Sequence, residues 1–217
     1  MGSDRGTTLA RSSIASNMQI KIESKALNDI AVLVPEIFRD ERGFFMETFR
    51  ADQFEALSLP TKFVQDNHSR SVRGVVRGLH FQWEPPMGKL MRVTVGAAFL
   101  VAVDIRKGSP TLGKWFGVEA SAENHRTVWA PAGFARGFCA LSEVTEIQYK
   151  CTGTYNSKAE SAIRWDDPEI GIEWPLEHVI VSEKDSKSGT LADWLSSPAS
   201  DNFSYVGQPH DEPVGAL

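Results

Sequence analysis

Apolar runs only a few residues long follow one another along most of the chain, each bounded by turn residues. Rich in Val, Ile, Phe or Trp, they predict strands at 18–22, 31–38, 44–49, 63–67, 75–82, 89–95, 97–105, 115–120, 127–130, 137–140, 146–151 and 162–165. Between them stand Val95-Gly96-Ala97, Lys107-Gly108-Ser109-Pro110 and Ala130-Pro131-Ala132-Gly133, where Gly and Pro supply the backbone angles of tight turns. Helical periodicity is confined to 51–57 and the neighbourhood of 190–195. Short strands at this spacing predict an all-β sandwich or barrel. Side chains from several strands then converge on one interior, so residues distant in sequence can share a site.

Length and composition add boundaries to this picture. With 217 residues, 41% apolar and 24% charged, the chain fits one globular domain over 19–195. The polar, small-residue segment 1–18 is expected to be a disordered extension, and 196–217 a polar tail containing Pro and Asp. No internal repeat is present. No apolar run approaches a membrane span, and the N-terminus lacks the hydrophobic core of a signal peptide. Two cysteines in strand-like contexts, Cys139 and Cys151, imply neither a disulfide framework nor a Cys-rich zinc site; a reducing, cytoplasmic setting is expected.

A net charge of −5 argues against nucleic acid or a membrane surface as partner, because both need a broad basic field. An anionic ligand must therefore be held locally. Arg70, Arg73, Arg77, Lys89 and Arg92 stand between 69 and 92 with only Glu84 against them, although Arg70 and Arg73 also read as a solvated loop.

His80 lies at the centre of that cluster, in Arg77-Gly78-Leu79-His80-Phe81-Gln82. It reads either as a core histidine or as a base that needs little tuning at neutral pH once a carboxylate orients its ring. Asp185 is a candidate for that carboxylate, and equally for a helix N-cap. Tyr149, in an alternating strand, reads as a strand aromatic or as a buried general acid. Lys89 reads as a snorkelling surface lysine or as a cation that stabilises a developing enolate. A metal can be tested against the cupin pattern of a His-x-His pair and a Pro-x-Gly-x-x-His turn. Here His80 is followed by Phe81-Gln82, and Pro131-Ala132-Gly133-Phe134-Ala135 by Arg136, so no metal centre is expected.

Seven motifs in order over about residues 20 to 186 carry a resemblance. They are Phe38-Arg39-Asp40-Glu41-Arg42-Gly43-Phe44-Phe45-Met46-Glu47, Phe63-Val64-Gln65-Asp66-Asn67-His68-Ser69, Arg77-Gly78-Leu79-His80-Phe81-Gln82, Gly88-Lys89-Leu90, the run 103–111, the run 131–138 and Ser182-Glu183-Lys184-Asp185. Together they resemble the dTDP-4-dehydrorhamnose 3,5-epimerase family. The resemblance implies a metal-free cupin-type jelly roll without cofactor, usually a homodimer, acting on a nucleotide-diphosphate 4-keto-6-deoxy sugar for deoxysugar or surface-polysaccharide synthesis. It implies His80 as base, Asp185 as its orienting partner, Tyr149 as acid on the opposite face of the sugar and Lys89 on the C4 carbonyl. It further implies that Arg42, Phe45, Glu47, Gln65, Asp66, Asn67, Arg77, Glu160 and Lys184 grip the nucleotide, with Tyr155 stacked on the base.

One position departs from the pattern: Arg136 stands where the family commonly has His. Either it pairs with a carboxylate such as Glu146 on the barrel wall, or it meets the sugar and alters which carbon or which sugar reacts. The competing readings are accordingly a single-centre epimerase or 3,4-ketoisomerase on a related nucleotide sugar, and a non-catalytic nucleotide-sugar-binding cupin.

Overall fold

In the computed structural model, which describes residues 19–206, the apolar runs become short strands packed in two sheets. In chain order these are β1 (Ile20–Ala26), β2 (Ile30–Pro35), β3 (Ile37–Asp40), β4 (Gly43–Met46), β5 (Gln65–Val72), β6 (Val75–Gln82) and β7 (Lys89–Val95). There follow β8 (Ala97–Asp104), β9 (Trp115–Ser121), β10 (Thr127–Ala130), β11 (Phe134–Ala140), β12 (Val144–Cys151), β13 (Glu160–Ala162) and β14 (Ile180–Val181). The helices are α1 (Ala51–Ala56), α2 (Glu183–Ser186) and α3 (Leu191–Ser196), with a 3-10 turn at Pro198–Phe203.

One sheet has the order β1-β2-β10-β7-β12-β5 and the other β13-β6-β11-β8-β9, with β14 added in parallel to β6. They face each other as the expected all-β, cupin-type jelly roll, and the β3–β4 hairpin stands apart as its own ribbon. Alternation along the strands sends apolar side chains to both sides of each sheet. Met91, Val93, Leu100, Phe134, Phe138 and Ile147 meet between the sheets. On the outer side of the first sheet Leu33, Leu90 and Trp129 are covered by Phe54 of α1. On the outer side of the second, Leu79, Phe81 and Val103 are covered by Trp194 and Phe203. Both faces of β11 are thus covered, and every one of its residues is buried.

Several sequence expectations change. The 63–67 strand runs instead from Gln65 to Val72, almost without apolar residues. Its ladder with β12 holds it in place, and its half-buried face carries Gln65, Asn67, Ser69 and Ser71, a polar lining that leaves no hydrophobic alternation to read. Arg70, read as loop, lies on this strand, whereas Arg73 sits in the turn after it. The 31–38 run breaks at Glu36 into β2 and β3. The segment after 195 does not leave the domain as a tail at once: Phe203, 5% exposed, sits in the outer core against Phe81 and Trp194. Burial of a side chain that size contributes about 1.5–3 kcal/mol, and backbone hydrogen bonds from the Lys107 N–H to Phe203 and from the Tyr205 N–H to Lys107, both 2.8 Å, tie the segment to the barrel. The expected extension at 1–18 and the end of the expected tail lie outside the described residues.

Candidate active site

A bulge between β6 and β11 builds the site. His80 pairs with Arg136 but Arg77 pairs with Phe138, so three steps on β6 match two on β11. The additional residue turns Arg77 and His80 to one face of the sheet, although a separation of three in a regular strand would put them on opposite faces. Gly78 permits it, at φ +126°, where an added Cβ would lie 2.6 Å from Gly137 Cα. Gly137 is equally confined, since a Cβ there would lie 2.7 Å from the Arg77 carbonyl oxygen.

His80 Nε2 lies 2.7 Å from Oδ1 of the buried Asp185. The carboxylate arrives through β14, whose Ile180 and Val181 pair with Val75 and Val76. Ser182 then caps α2 by accepting the Asp185 N–H at 3.0 Å. Asp185 is therefore the third residue of the helix rather than its N-cap, and its side chain is free to reach His80. Its other oxygen accepts the Gly78 N–H at 3.4 Å. Burial pushes the Asp185 carboxyl up, but the hydrogen bonds and charge of His80, with help from Gly78 and Ser182, hold it below the usual carboxylate range.

Lys89 begins β7, paired with Ala130 and Cys151, and its ammonium lies 5.9 Å from the centre of the Tyr149 ring. Burial drives its pKa down to about 8, with the charge of Arg136 adding to the fall and Cys151 and Glu160 opposing it. Tyr149 stands across from Asn67 on β5 and Met91 on β7 and packs against the inter-sheet core. Burial raises its pKa, an effect that a hydrogen bond with Asn67 offsets only in part, so the phenol keeps its proton at neutral pH.

Of the two readings of Arg136, the pair with Glu146 does not form. Alternation along β12 sends Glu146 to the other side of the sheet, where it holds His68 at 2.9 Å and Arg70 at 2.5 Å. Arg136 is 3% exposed. Its Nη2 reaches the Met91 sulfur at 3.3 Å, and Nε and Nη1 find no acceptor among the described residues. Burial lowers its pKa to about 10.

Near His80, Glu160 of β13 accepts the Tyr155 hydroxyl at 2.9 Å and the Lys184 ammonium. Arg77, His80, Glu160, Lys184 and Asp185 line one surface cavity. Arg77 is steadied by Ser71 Oγ at 3.1 Å, and the Tyr155 N–H by Gln65 Oε1 at 2.7 Å. Not every sequence candidate gathers here. Asp66 faces the opposite side of β5 and pairs with Lys150 at 2.9 Å. Glu47 holds Arg50 and Gln53 at the start of α1. Arg42 pairs with Asp40 on the β3–β4 hairpin, which also carries Phe45, 58% exposed, and rests on His125 through Phe44.

The sequence reading missed three supports. Ser182 capping α2 was legible as a Ser ahead of acidic residues. The Gly78 N–H and Gln82, which binds the carbonyls of Pro85 and Thr154 and the Asn156 N–H to hold the loop carrying Tyr155, left no local signal. Among the described residues no three His, Cys, Asp or Glu side chains cluster as metal ligands.

The model of the dTDP-4-dehydrorhamnose 3,5-epimerase family matches residues 24–193. The chain is 55% identical over 163 residues to a protein of that name from Methanothermobacter thermautotrophicus, covering 74% of this chain and 88% of the other. It is 52% identical over 168 residues to one from Neisseria gonorrhoeae, covering 77% of this chain but about half, 51%, of that relative's length. Among solved structures it is similar to the dTDP-6-deoxy-D-glucose-3,5-epimerase of Legionella pneumophila in complex with dTDP-4-keto-L-rhamnose. There the TM-score is 0.82 and the identity 43%, over 88% of this chain and 100% of the other.

Proposed function

The chain belongs to the dTDP-4-dehydrorhamnose 3,5-epimerase family, and from that membership we propose that it is an isomerase acting on dTDP-4-dehydro-6-deoxy-D-glucose. The product is dTDP-4-dehydro-L-rhamnose, formed by inversion at C3 and C5 for deoxysugar and polysaccharide synthesis. One observation carries the reading: a histidine held 2.7 Å from a buried carboxylate, in a jelly roll whose interior also holds Lys89 and Tyr149. With the Nε2 hydrogen directed at Asp185, Nδ1 is left as the base. It takes the proton from a carbon next to the C4 ketone, and the electron pair moves onto the C4 oxygen. The Lys89 ammonium stabilises that oxygen, and a fixed cation in a site of low dielectric does this far better than one in water. Tyr149 returns a proton to the other face of the same carbon, which inverts it. His80 and Tyr149 then exchange protons with solvent.

The test is proton exchange. With dTDP-4-dehydro-6-deoxy-D-glucose in D2O, NMR is expected to show deuterium entering C3 and C5 as product forms. Tight binding without uptake at either carbon would make this a binding protein instead.

The partner implied is a second copy of the chain. Arg42 and Phe45 stand on an exposed hairpin that rests on the His125 turn, away from the His80–Asp185 pair, so their use on the nucleotide calls for a neighbouring subunit. Mixing an Arg42→Ala chain with a His80→Ala chain is expected to restore activity neither has alone, and sedimentation is expected to show a dimer. Buried, free Cys139 and Cys151 agree with a cytoplasmic setting, and no helix among the described residues is long and apolar enough to cross a membrane.

A further inference from the structure

We propose that Arg136 contacts the sugar and favours enolisation at C3, its guanidinium fork spanning the oxygens on C3 and C4. This rests on the epimerase reading above and adds to it a residue that distinguishes the two carbons.

Placement comes first. Arg136 lies opposite His80 in the β6–β11 ladder, and its neighbours on the same side of β11, Phe134 and Phe138, belong to the inter-sheet core. Its side chain crosses that space to Met91 on the facing sheet. It thus occupies the interior shared by His80, Lys89 and Tyr149.

Arg106 shows how this fold treats a structural arginine, with Asp104 and Asp29 bound at 2.7 and 2.6 Å. Arg136 is more deeply placed but among the described residues has no carboxylate, and two of its nitrogens meet no acceptor there, while Lys89, a second cation, is near enough for the two charges to be felt. A buried guanidinium without an anion is costly, and it repels a cation beside it. Such a pair is complementary to negative charge brought in by a ligand.

The shape of that charge decides which carbon is favoured. When His80 takes the C3 proton, the pair left behind forms a C3–C4 double bond and the C4 oxygen becomes anionic, with the C3 hydroxyl beside it. Two adjacent oxygens suit a planar fork with parallel N–H donors. Removal of the C5 proton also places the charge on the C4 oxygen, but C3 then stays tetrahedral and its hydroxyl leaves the enolate plane, while the exocyclic group beside that oxygen on C5 is a methyl, so the planar fork meets one in-plane oxygen. Lys89, a point charge, serves both enolates. Arg136 therefore adds more to the C3 step.

The test uses the full chain with Arg136→Met and Arg136→Lys. Deuterium entry at C3 and at C5 is timed separately by NMR, alongside dTDP affinity and Tm. In Arg136→Met, C3 exchange is expected to fall roughly 10–100-fold relative to C5 exchange, less than the about 10²–10³-fold loss of a whole transition-state donor because the C5 step loses part of the same contact. Arg136→Lys is expected to recover only part of the loss, since its ammonium cannot span both oxygens. The dTDP affinity stays unchanged, and Tm stays level or rises as an unpaired buried cation is removed. An equal fall at both carbons, an unchanged ratio, or a lower Tm with C3 and C5 rates moving together would overturn the proposal and make Arg136 a general or structural residue. If Arg136→Met fails to fold, the ratio in Arg136→Lys decides. Exchange at neither carbon in the unmodified protein would instead overturn the epimerase reading itself.

Discussion

Two pairs of ionisable groups serve the interior of this jelly roll, and they are built in opposite ways. His80 and Asp185 are matched to each other at 2.7 Å, and Asp185 also receives the Gly78 N–H while the Ser182 cap fixes its helix. Lys89 and Arg136 stand close enough for their like charges to interact, and neither makes an ion pair to a carboxylate among the described residues. The first pair is oriented by hydrogen bonds that contribute to stability. The second has weaker partners, the Met91 sulfur for Arg136 and the face of the Tyr149 ring for Lys89, and burying its charges costs stability. A base needs a defined direction, whereas an enolate needs positive potential already in place before the charge develops.

Removing the proposed base breaks the first pair most severely. His80→Ala is expected to lower kcat about 10³-fold, read by NMR of product formation, with dTDP binding kept. Lys89→Met attacks the other pair: kcat is expected to fall about 10²–10³-fold, while Tm rises by about 2–4 °C for each kcal/mol of burial cost removed. Opposite movements of activity and stability in one variant would confirm the contrast, and a fall in both would break it. Asp185→Asn tests the positioning role. A loss of at least about 10–100-fold in kcat with little change in KM is expected, the size found when the hydrogen-bond partner that fixes a metal-bound histidine ring is removed, together with a lower Tm.

The smallest effect is a pH dependence that separates the pairs. Lys89 loses its proton at about 8 in the folded chain against 10.5 when unfolded. Activity that needs its charge is therefore expected to decline above pH about 8. Stability is expected to move the other way over the same interval, because the unfolded chain there binds more protons than the folded one, so deprotonation relieves the buried charge. Rate and Tm measured from pH 7 to 10 in the parent and in Lys89→Met check this, since the variant should show neither trend from this group.

Much of this was legible in the chain. Alternating Val, Ile, Phe and Trp located most strands of both sheets, and the two longer helices fell where helical periodicity appeared. β5 escaped because its half-buried face, Gln65, Asn67, Ser69 and Ser71, is polar and shows no hydrophobic alternation. The segment around Phe203 escaped because a single apolar anchor amid Pro, Ser, Asp and Asn has no periodicity. His80, Asp185, Lys89 and Tyr149 were identifiable through motif resemblance, yet which of Gln65, Asp66 and Asn67 face inward followed only from the register with β12.

By itself, then, the sequence determined the all-β class, the candidate residues of the site and the family, because strand periodicity and motif order are local properties of the chain. Tertiary structure alone decided the rest. It brought Asp185 to His80 across more than a hundred residues through the β14–β6 pairing, and it turned Arg77 to the same face by a one-residue bulge. It also left Arg136 without the Glu146 partner that proximity in the chain suggests. Whether a charge is paired depends on which side of a sheet its neighbours occupy, and only the assembled ladders settle that.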